Sequence, residues 1–152
     1  MMPDSTTMIV VDRSALVAHS AQKMYAIVAD VESYPQFLPW CDGAVVSMNE
    51  ASRTVATLHI NFHGLKKEFT TENLKQPGVR IDMRLVSGPF RSLEGSWLFI
   101  PLSEKACKVE FRLRYQFASA LLEKAAGSAF RGIADGFVDA FARRADEKFG
   151  SA

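Results

Sequence analysis

Apolar and polar positions alternate with a period of two through the middle of this 152-residue chain, and with a period near 3.6 at its end. Leu58, Ile60 and Phe62 alternate with Thr57, His59, Asn61 and His63. Val79, Ile81, Met83 and Leu85 alternate with Arg80, Asp82 and Arg84. Val109, Phe111, Leu113, Tyr115 and Phe117 alternate with Lys108, Glu110, Arg112, Arg114 and Gln116. This is the pattern of antiparallel strands with one buried and one wet face. Turn-forming pairs at Asn49-Glu50, His63-Gly64, Pro77-Gly78, Gly88-Pro89 and Ser103-Glu104 divide residues 42–117 into about six strands. One more strand, rich in Val and Ile, precedes them at Ile9 to Ala18. Ser20 is an N-cap for a short helix over 20–29, with Met24, Ile27 and Val28 on one face. Asp30 caps a second short helix that ends near Pro35, and residues 1–6 read as a loose start.

Residues 119–149 read as one long helix. Its bulky arc holds Leu122, Ala126, Phe130, Ile133, Phe137 and Phe141. A second arc is small (Ala125, Ser128, Ala129, Gly132, Gly136) and a third is charged (Lys124, Arg131, Asp135, Asp139, Asp146). Such a helix is roughly 45 Å long. A strand of eight residues spans about 27 Å, so the helix is expected to cross the sheet obliquely. Gly127, Gly132 and Gly136 each weaken it by about 0.5–1 kcal/mol relative to alanine. That cost points to close approach by a backbone or a ligand, with simple packing on the sheet as the plainer reading. The expected architecture is α+β: a curved antiparallel sheet of about seven strands around a long C-terminal helix, with two short helices after the first strand. It forms a single domain over 1–152, with a core of about 8–149. The periodicity accommodates either a cavity or a filled core beneath the helix.

Composition sharpens this picture in one respect. Eleven Phe and two Trp are many for a chain of this length, and they supply large apolar contact area. The net charge is +1; residues 1–75 hold six basic and eight acidic side chains, and 76–152 hold twelve and nine. That is not the strongly basic footprint of a nucleic-acid binder, although a local basic patch is compatible with it. Cys41 and Cys107 lack metal-site spacing and read as reduced thiols of a cytoplasmic protein. No basic stretch followed by an apolar run opens the chain, and no apolar run approaches the roughly 20 residues that span a bilayer.

The candidate chemistry is that of binding. Neither a nucleophile–base pair nor a phosphate loop is evident, and Glu94, Glu110 and Asp82 fall on the wet faces of their strands. His59 and His63 share a strand face but lack a third metal ligand nearby. Thr71 and Asn73 share parity with Phe69; if Phe69 points inward, so do they, and a carbonyl of a bound guest would accept a bond from either. Otherwise they are outward polar residues at a strand end. Lys66-Lys67, Arg80, Arg84, Arg112 and Arg114 lie on outward faces, and Arg143, Arg144 and Lys148 end the long helix. They are either solvated surface or a basic patch for RNA or anionic lipid.

Two aromatic segments stand apart from this background. Tyr34-Pro35-x-Phe37-Leu38-Pro39-Trp40-Cys41 is a stiff apolar loop, and Gly88-Pro89-Phe90-x-x-Leu93-x-Gly95-x-Trp97-x-Phe99 begins in a turn and places Leu93, Trp97 and Phe99 on one face. Together with Phe117-x-x-x-Leu121-Leu122 through Phe130, Ala140-Phe141 and Arg144-Ala145, these segments resemble the coenzyme-Q-binding START-like family, which includes the bacterial RatA ribosome-association toxins. The resemblance runs from about Val10 to Phe149. It implies a helix-grip (START or Bet v 1-like) fold with an apolar cavity. It further implies either binding of a polyprenyl quinone such as ubiquinone, in support of respiration, or association with the large ribosomal subunit that blocks subunit joining. Polyketide cyclase activity is the third option.

The sequence thus predicts a non-enzymatic binder or carrier of a hydrophobic small molecule, with no cofactor beyond such a guest. Phe130, Ile133, Phe137 and Phe141 would line the helix side of the site; Phe69, Thr71, Asn73, Phe90, Leu93, Trp97 and Phe99 the sheet side. The loop with Tyr34, Phe37, Leu38 and Trp40 would act as a gate or as a peripheral contact with the inner membrane.

Overall fold

A computed structural model describes residues 6–62 and 65–150. The turn expected at His63-Gly64 and the side chains of Phe62 and His63 lie outside the described residues, as does most of the loose start expected at 1–6. Strand β1 (Ile9–Val17) leads through His19 and Ser20 into helix α1 (Ala21–Ala29). Ser20 caps that helix as expected, its hydroxyl accepting from the Lys23 amide at 3.1 Å. A 3-10 helix, Val31–Gln36, follows. Asp30 precedes it without capping its backbone: the carboxylate accepts from the Ser33 hydroxyl instead.

Six strands then run in hairpin succession: β2 (Cys41–Glu50), β3 (Arg53–Phe62), β4 (Leu65–Gln76), β5 (Arg80–Ser87), β6 (Phe90–Ser103) and β7 (Ala106–Phe117). All pair antiparallel in one seven-stranded sheet of order β1-β7-β6-β5-β4-β3-β2. Strand β1 closes onto β7, with Val11 opposite Leu113 and Ala15 opposite Val109. The alternation fixes which side is wet. Val109, Phe111, Leu113, Tyr115 and Phe117 are all buried, and the residues between them are exposed or half-buried.

The chain ends in two helices where one was expected. Helix α2 (Ala120–Asp135) and helix α3 (Phe137–Phe149) are separated at Gly136. The Gly136 amide turns back to the carbonyls of Gly132 and Ile133, and the next helix starts from its own carbonyl, which accepts from the Ala140 amide at 3.0 Å. The glycines do not mark close approach. A methyl group at Gly132 would meet nothing within 4 Å, and one at Gly127 would meet only Glu123 Cγ, at 3.8 Å. Glycine's low helix propensity, repeated near Gly136, weakens the helix where it breaks. The bulky arc survives the break: Ala126, Phe130, Ile133 and Phe141 are buried against the sheet.

Two polar clusters tie the frame. Buried His19 meets Asp146 of α3 at 2.7 Å, joining the β1–α1 corner to the last helix. On the outer sheet face Glu72 of β4 is 7% exposed and held by Arg53 of β3 and Arg84 of β5. Hydrogen bonds from Arg53 and then Arg84 outweigh desolvation and pull the Glu72 carboxyl below the usual carboxylate range. The folded state therefore releases this proton more readily than the unfolded chain. The stabilisation is present above the ordinary glutamate value of about 4.3 and is lost as pH falls through the lower folded value. Glu72→Gln should destabilise the protein at neutral pH, and the gap from wild type should shrink below about pH 4. Urea unfolding at several pH values checks this; a gap independent of pH would show that the clamp does not act through charge.

Candidate functional site

Between the inner sheet face and the two C-terminal helices the packing leaves two small apolar cavities. The larger, about 50 Å³, is lined by Val31, Tyr34, Ala56, Leu58, Phe69, Thr71, Asn73, Met83, Leu93, Trp97, Leu113, Phe130, Phe137 and Phe141. The smaller, about 20 Å³, lies toward the start of α2, among Ile60, Leu65, Lys67, Pro89, Phe90, Phe117, Leu122, Ala126, Ala129 and Ile133. Phe69 and Phe130 line both. Their rings meet edge to face at 6.2 Å and form the partition between the two spaces.

Strand parity explains the sheet-side wall. Phe69, Thr71 and Asn73 point inward together and are buried. The Thr71 hydroxyl donates to Asn73 Oδ1 at 2.9 Å, so the polar pair satisfies part of its own hydrogen bonding inside an aromatic surround. Leu93 and Trp97 follow the same rule on β6. Gly88 precedes them at φ +151°, and a methyl group there would stand 2.6 Å from Phe69 Cβ. Only glycine lets the β5–β6 turn press against Phe69 in this way.

Of the residues expected at the site, Tyr34, Phe69, Thr71, Asn73, Leu93, Trp97, Phe130, Phe137 and Phe141 converge on the larger cavity. Phe90 and Ile133 reach only the smaller one. Phe99 lines neither: it packs edge to face on Tyr25 of α1, with ring centroids 5.7 Å apart. The Tyr34–Trp40 loop is not an exposed gate. Leu38 is 1% and Trp40 8% exposed; Trp40 stacks on Phe137 at 5.4 Å and Phe37 meets Phe141 at 5.4 Å. So much aromatic area is better buried on α3 than left at a rim. Of the loop, only Tyr34 walls the cavity. Val31, Ala56, Leu58, Met83 and Leu113 belong to the lining as well. The alternating pattern puts Leu58, Met83 and Leu113 on the inner face, and the same parity extends from Leu58 back to Ala56; Val31, on the 3-10 helix, has no comparable signal. Lys67, read from sequence as outward, shares the parity of Phe69 and stands at the smaller cavity.

Chemically the larger cavity offers a phenol, a hydroxyl and an amide. Burial pushes the Tyr34 phenol far above its ordinary range, and its hydroxyl donates to the Val28 carbonyl. Burial also raises the Cys41 and Cys107 thiols. Among the described residues no group of three or more His, Cys, Asp or Glu is placed to hold a metal, and His59 pairs with Glu68 at 3.1 Å.

Residues 17–142 match the family model "Polyketide cyclase / dehydrase and lipid transport". The chain belongs to that family. It is 46% identical to the ribosome association toxin RatA of Vibrio cholerae, over 92% of this chain and 97% of the relative. It is 30% identical to the mitochondrial coenzyme Q-binding protein COQ10 homolog B of Xenopus laevis, over 90% of this chain and 58% of that longer one. The Zhui aromatase/cyclase of Streptomyces superposes with a TM-score of 0.81 at 16% identity, covering 94% of this chain and 96% of that one. At that identity the likeness is one of fold. Among the described residues no helix is long and apolar enough to cross a membrane.

The Phe69–Phe130 partition gives a direct test. Phe130→Ala should merge the two cavities and cost about 3–5 kcal/mol. Part of that loss should return when a small apolar guest such as toluene fills the space. Thermal unfolding with and without toluene checks it; equal midpoints would mean that neighbouring side chains had collapsed into the void.

Proposed function

We propose that this protein binds a hydrophobic small molecule in the space beneath its C-terminal helices, that the guest is a polyprenyl quinone, and that the protein holds or delivers it without altering it. The observation that carries this reading is the aromatic cavity pair with a single buried polar couple, Thr71 and Asn73, on its wall. Lipid transport in the family description and the name of the Xenopus relative point the same way. Burial of an isoprenoid tail at about 25 cal/mol per Å² would supply most of the affinity. Asn73, whose carbonyl is engaged by Thr71, would offer its amide N–H groups to a quinone oxygen. Ligand cavities usually measure roughly 300–1,000 Å³, far more than the space here. A guest would therefore displace the Phe69–Phe130 partition and open both cavities into one.

Solvent extraction of the purified protein, followed by mass spectrometry, should recover a quinone, and a water-soluble short-chain quinone added afterwards should bind. Asn73→Leu should weaken that uptake by roughly tenfold, the worth of one good hydrogen bond to a buried acceptor. Absence of quinone from the extract together with no uptake of added quinone would end this reading.

A second reading rests on the 46% identity to proteins named ribosome association toxins, which exceeds the 30% to the coenzyme Q-binding relative. On that reading the outer surface engages the large ribosomal subunit. The protein should then co-sediment with large subunits, and the binding should weaken steeply as salt rises. Binding that is absent, or indifferent to salt, would remove it.

A further inference from the structure

We infer that the end of the molecule where the smaller cavity opens is a docking surface for an anionic lipid bilayer. This inference rests on the reading that the interior takes a hydrophobic guest.

The cations of this protein differ in whether a carboxylate meets them. Those on the outer sheet face are ion-paired within the chain: Arg53 and Arg84 share Glu72, Arg80 meets Asp82, Arg112 meets Asp12, and Arg114 meets Glu94 at 3.5 Å, which leaves this set with one positive charge in excess. That face resembles an internally paired lattice more than a polyanion site. Lys66, Lys67, Arg91 and Lys124 differ. Like Lys23, Lys75, Lys105, Arg143, Arg144 and Lys148, they form no ion pair among the described residues; what sets them apart is that they share one end of the fold. Of the nearby carboxylates, Glu68 is engaged with His59 at 3.1 Å and Glu123 with the Thr7 amide at 2.9 Å, while Asp42 lines the groove beside Lys66 and Lys67 without forming an ion pair with either.

These four cations share one end of the fold. Lys66 and Lys67 begin β4, Arg91 begins β6, and Lys124 lies in the first turns of α2. The three starts are tied together there, because the Ala118 amide donates to the Pro89 carbonyl at 3.0 Å and Phe69 meets Phe90 at 5.8 Å. Leu65, Lys67, Pro89 and Leu122 wall the smaller cavity at the same end. Leu121, next to that wall and one helical turn from Lys124, is 77% exposed, more than any other large apolar side chain described. An exposed leucine among unpaired cations, beside an apolar opening, is complementary to a surface with anionic headgroups above hydrocarbon. Lysine stems lie along apolar surface while their ammonium groups reach outward, and each basic residue near such a surface is worth a roughly fivefold gain in partitioning.

The full-length protein should co-sediment with vesicles containing phosphatidylglycerol, and much less with vesicles of phosphatidylcholine alone. The binding should weaken with salt. The double variant Lys66→Glu, Arg91→Glu should lose roughly 25-fold or more in vesicle partitioning, and Leu121→Asp should also weaken it. Arg143→Glu, on α3, should bind as wild type. Uptake of a soluble short-chain quinone from vesicle-free solution, and the thermal midpoint, should be unchanged in Leu121→Asp. This arm separates loss of docking from loss of the interior site or of the fold. Equal binding to neutral and anionic vesicles, no binding to either, or wild-type binding by the double variant would overturn the inference. So would a result in which the double variant loses large ribosomal subunits and wild type ignores vesicles, since the cations would then serve RNA.

Discussion

The interior beneath the C-terminal helices is organised by rigid rings, many of them meeting edge to face. Phe130 of α2 meets Phe69 and Tyr115 edge to face with ring centroids 6.2 and 4.8 Å away and Phe90 at a tilt at 5.0 Å, and Phe141 of α3 stands edge-on to Trp97 at 5.2 Å. Aromatic pairs prefer this geometry and gain from it beyond the area they bury. They also have few conformers, so they cannot mould themselves to every gap as leucine or methionine does. Small dry spaces are the by-product. In a protein with no guest, such voids are a plain loss of contact energy. Here they lie on both sides of one ring pair, so moving that pair opens a continuous space without dismantling the sheet.

The two sides of the partition differ in freedom. Phe69 is backed by the β5–β6 turn, where only a glycine fits, and by its pairing with Leu58 of β3. Phe130 sits on a helix that ends five residues later at Asp135, before the interruption at Gly136, with Gly127 and Gly132 in open surroundings. Displacement of α2 therefore disturbs fewer fixed contacts than displacement of β4. The break at Gly136 divides labour: α3 is anchored by Trp40, Phe37 and the His19–Asp146 contact, and α2 can adjust over the cavity.

Much of this was legible in the chain because strand parity is a strict rule. The alternation around Ile81, Phe111 and Trp97 places their side chains on the inner face with no need of coordinates, and the Ser20 cap sets the start of α1 by local hydrogen bonding alone. Parity also held for Thr71 and Asn73, and it would have placed Lys67 inward had its charge not suggested otherwise. The failures concern sums over distant parts. Glycine content alone does not distinguish a helix break, as at Gly136, from a close contact. Phe99 satisfies the inward rule, yet α1 covers it first. The loop from Tyr34 to Trp40 looks like a rim in sequence because nothing local shows that Phe137 and Phe141 receive it. Cavity volume is the small residue of many side-chain volumes, and no periodicity encodes it.

Helix α2 links the interior to the surface in a way that bears on both functional readings. Its inner face carries Phe130 and Leu122 against the cavities, and its outer face carries exposed Leu121 and Lys124. A guest that moves the Phe130 ring must bear on the backbone that positions those exposed residues. Coupling between two sites requires an element whose position both can bias, and α2 is such an element. By linkage, whatever grips Leu121 and Lys124 from outside changes the affinity of the cavity by the same factor that the guest changes the outer contact. The outer sheet face, laced by internal ion pairs and on the side of the sheet away from α2, has no comparable connection to the interior. A partner that senses whether the cavity is occupied would therefore contact the end where α2 begins.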